Sequence, residues 1–438
     1  MANAFSKEER VAFEDLLEGF NDALVLSRNV SVYRTDQVMM ERARDTIWRP
    51  QPYIAQSINS TPGTSIALQY QDMTQLAVPA TLGFSQTVPW TMTALQLRDA
   101  LQEGRLGQSA SQKLASDINV AIMNVASSQG TLVVSVPTGA GSYDDVALCD
   151  TIMNEQGVVM NDRALALSSR DYNGLAGNIA SAQARSFNGN KSNTAFERSF
   201  VGMVAGFETY KMDYSNAINV PNPSTTQVTI DTANQFYVPQ ATSNAVGGQI
   251  NVDNRFQNIL IDIAAGGQVS IGDAFTVANV EALHHITKQS TGQEKTFRVI
   301  ALPNAAPGVQ TIGSGAGQTI TISPPFISGQ GGSDAELQYQ NINSTPAAGA
   351  TITFLNTTAG RINVFWQRDA LEILPGRYAV PSDAGVAVMR ATTDNGIEVV
   401  MQKFYDIDSM TIKYRLDTLY GVVNKQPEMS GILLFGQT

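Results

Sequence analysis

Few side chains in this sequence could do covalent or metal chemistry. His284 and His285 are the only histidines and Cys149 is the only cysteine among 438 residues. Imidazoles serve as metal ligands and general bases, but adjacent residues on a strand point to opposite faces, so this pair would not readily chelate one ion. Surface or partly buried structural roles are predicted for both. Cys149 has no histidine near it in sequence to activate the thiol, and a small buried apolar role is expected. With no second cysteine, no intramolecular disulfide is possible. Gly313-Ser314-Gly315-Ala316-Gly317 looks like a dinucleotide loop, yet it lacks a strand before and a helix after, and no Gly-Lys-Ser/Thr phosphate cradle occurs. It reads as a flexible β-turn. Asp406 with Asp408, and Asp144 with Asp145, could hold a hard cation, but neither pair has calcium-loop spacing. Both read as solvated loop carboxylates. No catalytic, cofactor or metal-ligating residue is assigned.

Composition points the same way. Charged residues make up 15% of the chain and hydrophobic residues 43%. A freely soluble enzyme typically has a surface about 25–35% charged. A polar but uncharged surface suits a subunit that covers much of itself with copies of itself, since interface cores are depleted in charge. The net charge of -11 and a pI near 4.7 leave no basic patch for nucleic acid. The first residues lack the apolar core of a signal peptide, and no run of about 18 apolar residues could span a membrane. A reducing cytoplasm is expected as the place of synthesis.

The elements follow from periodicity. Residues 7–27 predict an amphipathic helix with Phe13, Leu16, Leu17, Phe20 and Leu24 on one stripe, and Glu14, Glu18 and Asp22 beside it, reinforced by Asp15. At an extreme terminus such a helix has little of its own to pack against, and alone it reads as an ordinary surface helix. Five prolines between 46 and 90 favour an extended, hairpin-like arm. Residues 93–128 are helical by pattern, with a break expected at Gly104 and Gly107 and one long helix from about Ser109 to Gly130. A strand is predicted over Thr131–Val136. Residues 144–220 mix helices with loops, helix being favoured at Ala147–Met153 and Ala176–Ala184. From Pro221 a linker leads into short strands over 227–355, clearest at Gln227–Ile230, Asn258–Ile263 and Thr319–Ile322, which predicts a small all-β domain inserted in an α+β host. Residues 361–438 return to strands, with a tight turn at Asp394-Asn395-Gly396.

Several short segments then carry a resemblance. Thr46-Ile47-Trp48-Arg49-Pro50, Val252-Asp253-Asn254-Arg255-Phe256, Arg361-Ile362-Asn363-Val364-Phe365-Trp366, Tyr420-Gly421-Val422 and the closing Phe435-Gly436-Gln437-Thr438 stand in order along the chain. The sequence resembles, over nearly its whole length, the coat (major capsid) proteins of short-tailed, lambdoid Salmonella-type phages. The structural markers of that resemblance include Trp48, Pro50, Asp253, Asn254, Arg255, Phe256, Trp366, Tyr420 and Gly421.

The resemblance implies the capsid fold of tailed phages and herpesviruses. It divides the chain into an N-terminal arm (1–45), an extended loop (46–92), a peripheral-domain spine helix (93–130), axial and peripheral parts (131–220 and 356–438) and an inserted all-β domain (221–355). It implies a non-catalytic subunit, without cofactors, that forms hexamers and pentamers. With a scaffolding protein these build an icosahedral procapsid with a portal at one vertex. The shell then expands to enclose double-stranded DNA, contacted non-specifically; no membrane is involved. By resemblance Glu14, Asp15 and Glu18 receive a basic segment of the scaffold. Relatives carry charged residues in the loop 241–248, which is uncharged here, so hydrogen bonds or apolar contact must replace salt bridges. Residues 305–318 look longer than the family norm. The implied locations are the virion capsid and, during assembly, the host cytoplasm. Rival readings are a tail or decoration protein, a β-rich hydrolase whose carboxylate pair is not evident, or a binding module.

Overall fold

From Ala100 to Gln129 the chain is one helix, running through Gly104 and Gly107 without the expected break. A lone glycine inside a helix costs about 1 kcal/mol against alanine, and here it makes room for a neighbour. A Cβ on Gly107 would lie 3.1 Å from Leu16 Cδ1. Arg10, Phe13, Glu14, Leu16, Leu17 and Phe20 are helical, with Phe13, Leu16 and Phe20 buried. The N-terminal helix therefore has a surface to pack on, contrary to expectation. It stops earlier than predicted: Leu24 is outside it, and Leu26–Asn29 is a 3-10 turn whose Leu26 N–H donates to Asn119 Oδ1 at 3.4 Å.

A computed structural model describes residues 10, 13–14, 16–17, 20, 24–33, 46–52, 54–55, 57, 61–63, 65–67, 70–93, 100–181, 189–220, 227–378, 386–393 and 396–437. The chain forms two units: Met1–Ile47, Pro79–Val125 and Leu371–Val423 make one, and Trp48–Val78, Ala126–Ala370 and Asn424–Thr438 the other.

The first unit is built on an antiparallel platform. The strand Thr411–Asn424 pairs with Glu398–Asp406 on one side, and Phe84–Thr93 also pairs along it. Ala387–Thr392 and Glu398–Asp406 form the hairpin predicted from Asp394-Asn395-Gly396. Gly396 has φ +78 and its N–H donates to Thr393 O at 2.8 Å, while Asp394 and Asn395 lie outside the described residues. Tyr420 is buried and stacks on Phe84 with centroids 5.4 Å apart. Next to it, Gly421 is needed for space: a Cβ there would run into the Thr81 carbonyl.

The second unit contains a six-stranded sheet and a closed barrel. The sheet runs, in spatial order, Leu132–Val136, Ser430–Phe435, Asn363–Gln367, Arg163–Ser168, Phe207–Met212 and Met203–Val204. Asn363–Gln367 and Arg163–Ser168 are buried at every residue, as central strands covered on both faces are. Trp366 is fully buried in the former, paired with Ser430 and Ala164. The strands Arg163–Ser168 and Phe207–Met212 fall where sequence pattern suggests helices with loops; the first is buried at every residue, and a fully buried strand shows no alternation. The helices here are Tyr143–Glu155, Ser169–Ile179 and Gly189–Arg198, the second several residues N-terminal of its predicted position.

The barrel consists of Val228–Ile230, Gln257–Ser270, Ala274–Leu283, Ser290–Ala301, Thr311–Ser323 and Thr351–Phe354. Ile259, Ile261 and Ile263 alternate inward, as period-2 patterning requires. They meet Phe275, Phe297 and Phe326 in one core, where the Phe297 and Phe326 rings pack edge to face at 4.8 Å. Between barrel strands, Ser333 and Glu336 form a capping box on the short helix Asp334–Tyr339, an element absent from the sequence expectation.

Substituting Gly421→Ala should lower unfolding free energy by about 1–3 kcal/mol, the usual cost of overpacking, in denaturant titration of the unassembled chain. An unchanged midpoint would show that the strand can move away from Thr81.

Candidate functional site

Several of the residues singled out for chemistry help to hold the structure together. His284 and His285 lie in the turn after the strand Ala274–Leu283, not on a strand. His284 Nδ1 accepts from the Ile286 and Thr287 N–H groups, each at 3.2 Å. Cys149 is buried in the helix Tyr143–Glu155, and burial first, then Asp145 and Asp150, push its thiol pKa far up. It is a core residue. Asp145 is not a solvated carboxylate: with Ser142 it closes the capping box of that helix. Nor is Asp406 merely solvated. It accepts from Lys413 Nζ at 2.8 Å, and the hydrogen bonds from Lys413 and Ser409 lower its pKa. The glycines 313–317 lie inside the strand Thr311–Ser323 and not in a turn. Gly315 opposes Ile263 at an irregularity in the ladder, and Gly315 and Gly317 take positive φ. Among the described residues no group of three or more His, Cys, Asp or Glu converges as a metal site would.

The functional geometry is concentrated where the barrel meets the sheet, within the second unit. The strand Ser290–Ala301 sends Phe297 and Val299 into the barrel core. Its neighbouring polar residues reach the other way. Arg298 is fully buried and donates from Nη1 to Gly130 O at 3.2 Å, from Nη2 to Ser127 O at 3.1 Å and from Nε to Gly272 O at 3.0 Å. Ser127 and Gly130 present carbonyls at the C-terminal end of the long helix, where partial negative charge accumulates and a cation is favoured. Burial lowers the Arg298 pKa to about 10, with Asp273 opposing the shift. Burial likewise raises Asp273 to about 6, against hydrogen bonds from Ser270 N–H and Asn356. Thr296 Oγ1 donates to Thr131 O at 2.8 Å.

Lys295, 1% exposed at its side chain, binds Glu428 Oε1 at 2.6 Å and Gln156 Oε1 at 2.7 Å. Glu428 also accepts from Asn341 Nδ2 at 3.3 Å. Burial alone would raise the Glu428 pKa, but Lys295, His285 and the hydrogen bonds from Lys295 and Asn341 hold it down at about 2.

The Val252–Phe256 segment closes the same junction. Asp253 pairs with Arg255 at 2.6 Å, and Arg255 Nη1 donates to Asn424 O at 2.8 Å. Asn254 accepts from Tyr237 Oη and Gln240 N–H and donates to Gln240 O and Val252 O. The Phe256 ring lies 4.9 Å from the Arg255 guanidinium. Sequence reasoning chose these residues by resemblance but missed Lys295, Arg298 and Glu428. The alternation Lys295-Thr296-Phe297-Arg298-Val299 reads as an ordinary strand with a wet face, and nothing local shows that a second layer covers it.

The other predicted positions are not brought together. Glu14 is an exposed helical residue, while Asp15 and Glu18 lie outside the described residues. Trp48 and Pro50 sit on the strand Thr46–Pro50. The loop 241–248 forms most of a hairpin, Thr242–Ala245 against Gly248–Asn251, with Val246 and Ile250 exposed.

Glu428→Gln should destabilise the chain by about 3–5 kcal/mol, because Lys295 then stays buried without its counter-charge. The pair Lys295→Met with Glu428→Leu should recover most of that loss in denaturant unfolding. A carboxylate depressed on folding contributes stability above its ordinary value near 4.5 and loses it as pH falls towards 2. A smaller loss of stability between pH 4.5 and 2 in the apolar pair than in wild type checks that window.

The P22 coat protein family (P22 coat protein, gene protein 5) matches residues 1–436. Among solved structures, the chain is similar to one titled Mycobacterium phage Che8 (8% identity, 93% of this chain and 90% of that chain, TM-score 0.43). It is similar to the capsid of Cyanophage P-SCSP1u at 0.43 as well (8% identity, 95% and 89% covered). A 33% identical match, the CUS-3 coat protein I-domain, covers 30% of this chain and 98% of that chain, with a TM-score of 0.22. With the family model matching residues 1–436, the chain belongs to the P22 coat protein family and is a major capsid protein of the phage virion.

Proposed function

We propose that this subunit co-assembles with a scaffolding protein into an icosahedral procapsid, in the host cytoplasm, and that the shell then expands around double-stranded DNA. The observation that carries the reading is the family match over residues 1–436. Hexamers and pentamers close the shell, and a portal occupies one vertex. Packaged DNA meets an acidic chain of net charge -11 and is touched non-specifically. The subunit is non-catalytic and takes no cofactor: the histidines, the cysteine and Asp145 serve as turn, core and cap residues.

On this reading 1–45 is the N-terminal arm, 46–92 the extended loop, 93–130 the spine helix, 221–355 the inserted domain, and 131–220 with 356–438 the axial and peripheral parts. The exposed hairpin around Val246 and Ile250 meets neighbouring capsomers through hydrogen bonds and apolar contact, since it carries no charge. The scaffold docks on the N-terminal helix. Phe13, Leu16 and Phe20 are buried while Glu14 faces solvent, so an acidic position is presented by a helix whose apolar side is already used. Several exposed ion pairs at about 0.2–1 kcal/mol each would recruit scaffold yet let it leave.

Reversing Glu14→Lys, Asp15→Lys and Glu18→Lys together should abolish most scaffold uptake and yield aberrant particles in negative-stain microscopy, with thermal unfolding of the monomer unchanged. Normal closed shells with normal scaffold content would overturn the N-arm assignment.

A further inference from the structure

One group at the junction has no part in the anchoring just described. His285 is 8% exposed, and neither ring nitrogen makes a hydrogen bond to a described group. It lines a small cavity of about 50 Å³ together with Glu428, Asn341, Ser323, Gln426 and Arg255. Ser323 Oγ and Gln426 Oε1 are also buried there without a partner. The His285 Nε2 lies 3.4 Å from Glu428 Oε2, within ion-pair range but not aligned for a hydrogen bond. The turn that carries it is docked tightly. The His285 N–H donates to Gln156 O at 3.2 Å, and Lys288 Nζ donates to Gln340 O at 3.0 Å. Gly157 sits so close that a Cβ there would lie 2.7 Å from the His284 ring.

The charges around the imidazole decide what a proton would do. Facing it are Glu428 from the 3-10 turn Pro427–Met429, Lys295 from the strand Ser290–Ala301, and His284 and Lys288 from its own turn. The cavity wall adds Arg255, bound to Asp253, and Tyr339 from the helix Asp334–Tyr339. Glu428 is the one carboxylate in that set not already bound to an arginine, and Lys295 holds its other oxygen at 2.6 Å. With a neutral imidazole Glu428 already answers Lys295 and, at longer range, the half-buried Lys288. A proton on His285 adds a further buried cation to the same carboxylate, and desolvating it without full compensation is costly.

We propose that the His285 imidazole, packed neutral into this cavity beside the Lys295–Glu428 pair, is a proton-sensitive latch that seats the barrel's 284–289 turn and releases it on protonation. The direction agrees with the imidazole's own titration. Burial is the main cause of a pKa lowered from 6.5 to about 4, with Glu428 opposing and Lys295, Lys288 and His284 assisting. A histidine depressed on folding stabilises the closed form above pH 6.5, and that contribution drains away as pH falls to about 4.

Hydrogen exchange of the unassembled full-length chain, corrected for intrinsic rates, reads the opening directly at residues 284–296. Going from pH 7.5 to pH 5 should raise the local opening constant about 30-fold in wild type through uptake of one proton. The response should be lost in His285→Gln, whose side chain takes no proton. A flat wild-type response, or the same pH dependence in His285→Gln, would overturn the latch. Should that variant fail to fold, wild type labelled at its imidazoles decides. The His285 resonance must titrate over the pH range in which exchange at 284–296 accelerates, and titration without acceleration rejects the proposal.

Discussion

Taking a charge out of water is tolerated only when something inside answers it, and the second unit of this coat protein is organised around that demand. Lys295 and Arg298 are buried, and Glu428 is 14% exposed, where a barrel strand meets the ends of other elements. Each is matched by a different device. Lys295 has a carboxylate and an amide, Arg298 has the carbonyls that end the long helix, and Glu428 has Lys295 and Asn341. An isolated buried charge costs several kcal/mol even after relaxation, so the barrel can be seated well in few positions. Apolar surface would hold it as strongly but would allow sliding. Directional polar partners give a defined seat.

That arrangement suits a shell subunit. A capsid protein must keep one shape through assembly while the surfaces it presents to its copies are exchanged. The barrel core is apolar and closed, with Phe275, Phe297 and Phe326 at its centre. Its attachment is polar and therefore sensitive to solvent conditions in a way that the core is not. The division places an apolar, closed core in the parts and a directional polar attachment at the seam.

Much of this was legible in the sequence and some was not, for physical reasons. Half-buried strands such as Asn258–Ile263 and Thr319–Ile322 announce themselves by alternation, and Gly396 marks its turn by needing φ > 0. Arg163–Ser168 and Phe207–Met212 were missed: the first is buried at every residue, and the second lies in a stretch read as helix and loop. Gly104 and Gly107 read locally as helix breakers, yet at Gly107 the missing Cβ admits Leu16, a long-range fact that a local rule cannot contain. Resemblance drew attention to Asp253, Asn254 and Arg255. Their purpose emerged only with Asn424, some 169 residues further on from Arg255. Lys295, Arg298 and Glu428 carry no local signature, because what distinguishes them from surface charges is the layer that covers them.

Buried polar bonds, with Arg298 at their centre, seat the barrel in this protein. A cryo-electron microscopy reconstruction of the shell at side-chain resolution tests this most directly. The account predicts the Arg298 guanidinium within hydrogen-bond distance of the Ser127 and Gly130 carbonyls, and Lys295 on Glu428, in every independent copy. Copies in which the barrel is ordered but Arg298 and Lys295 have turned to solvent would contradict it.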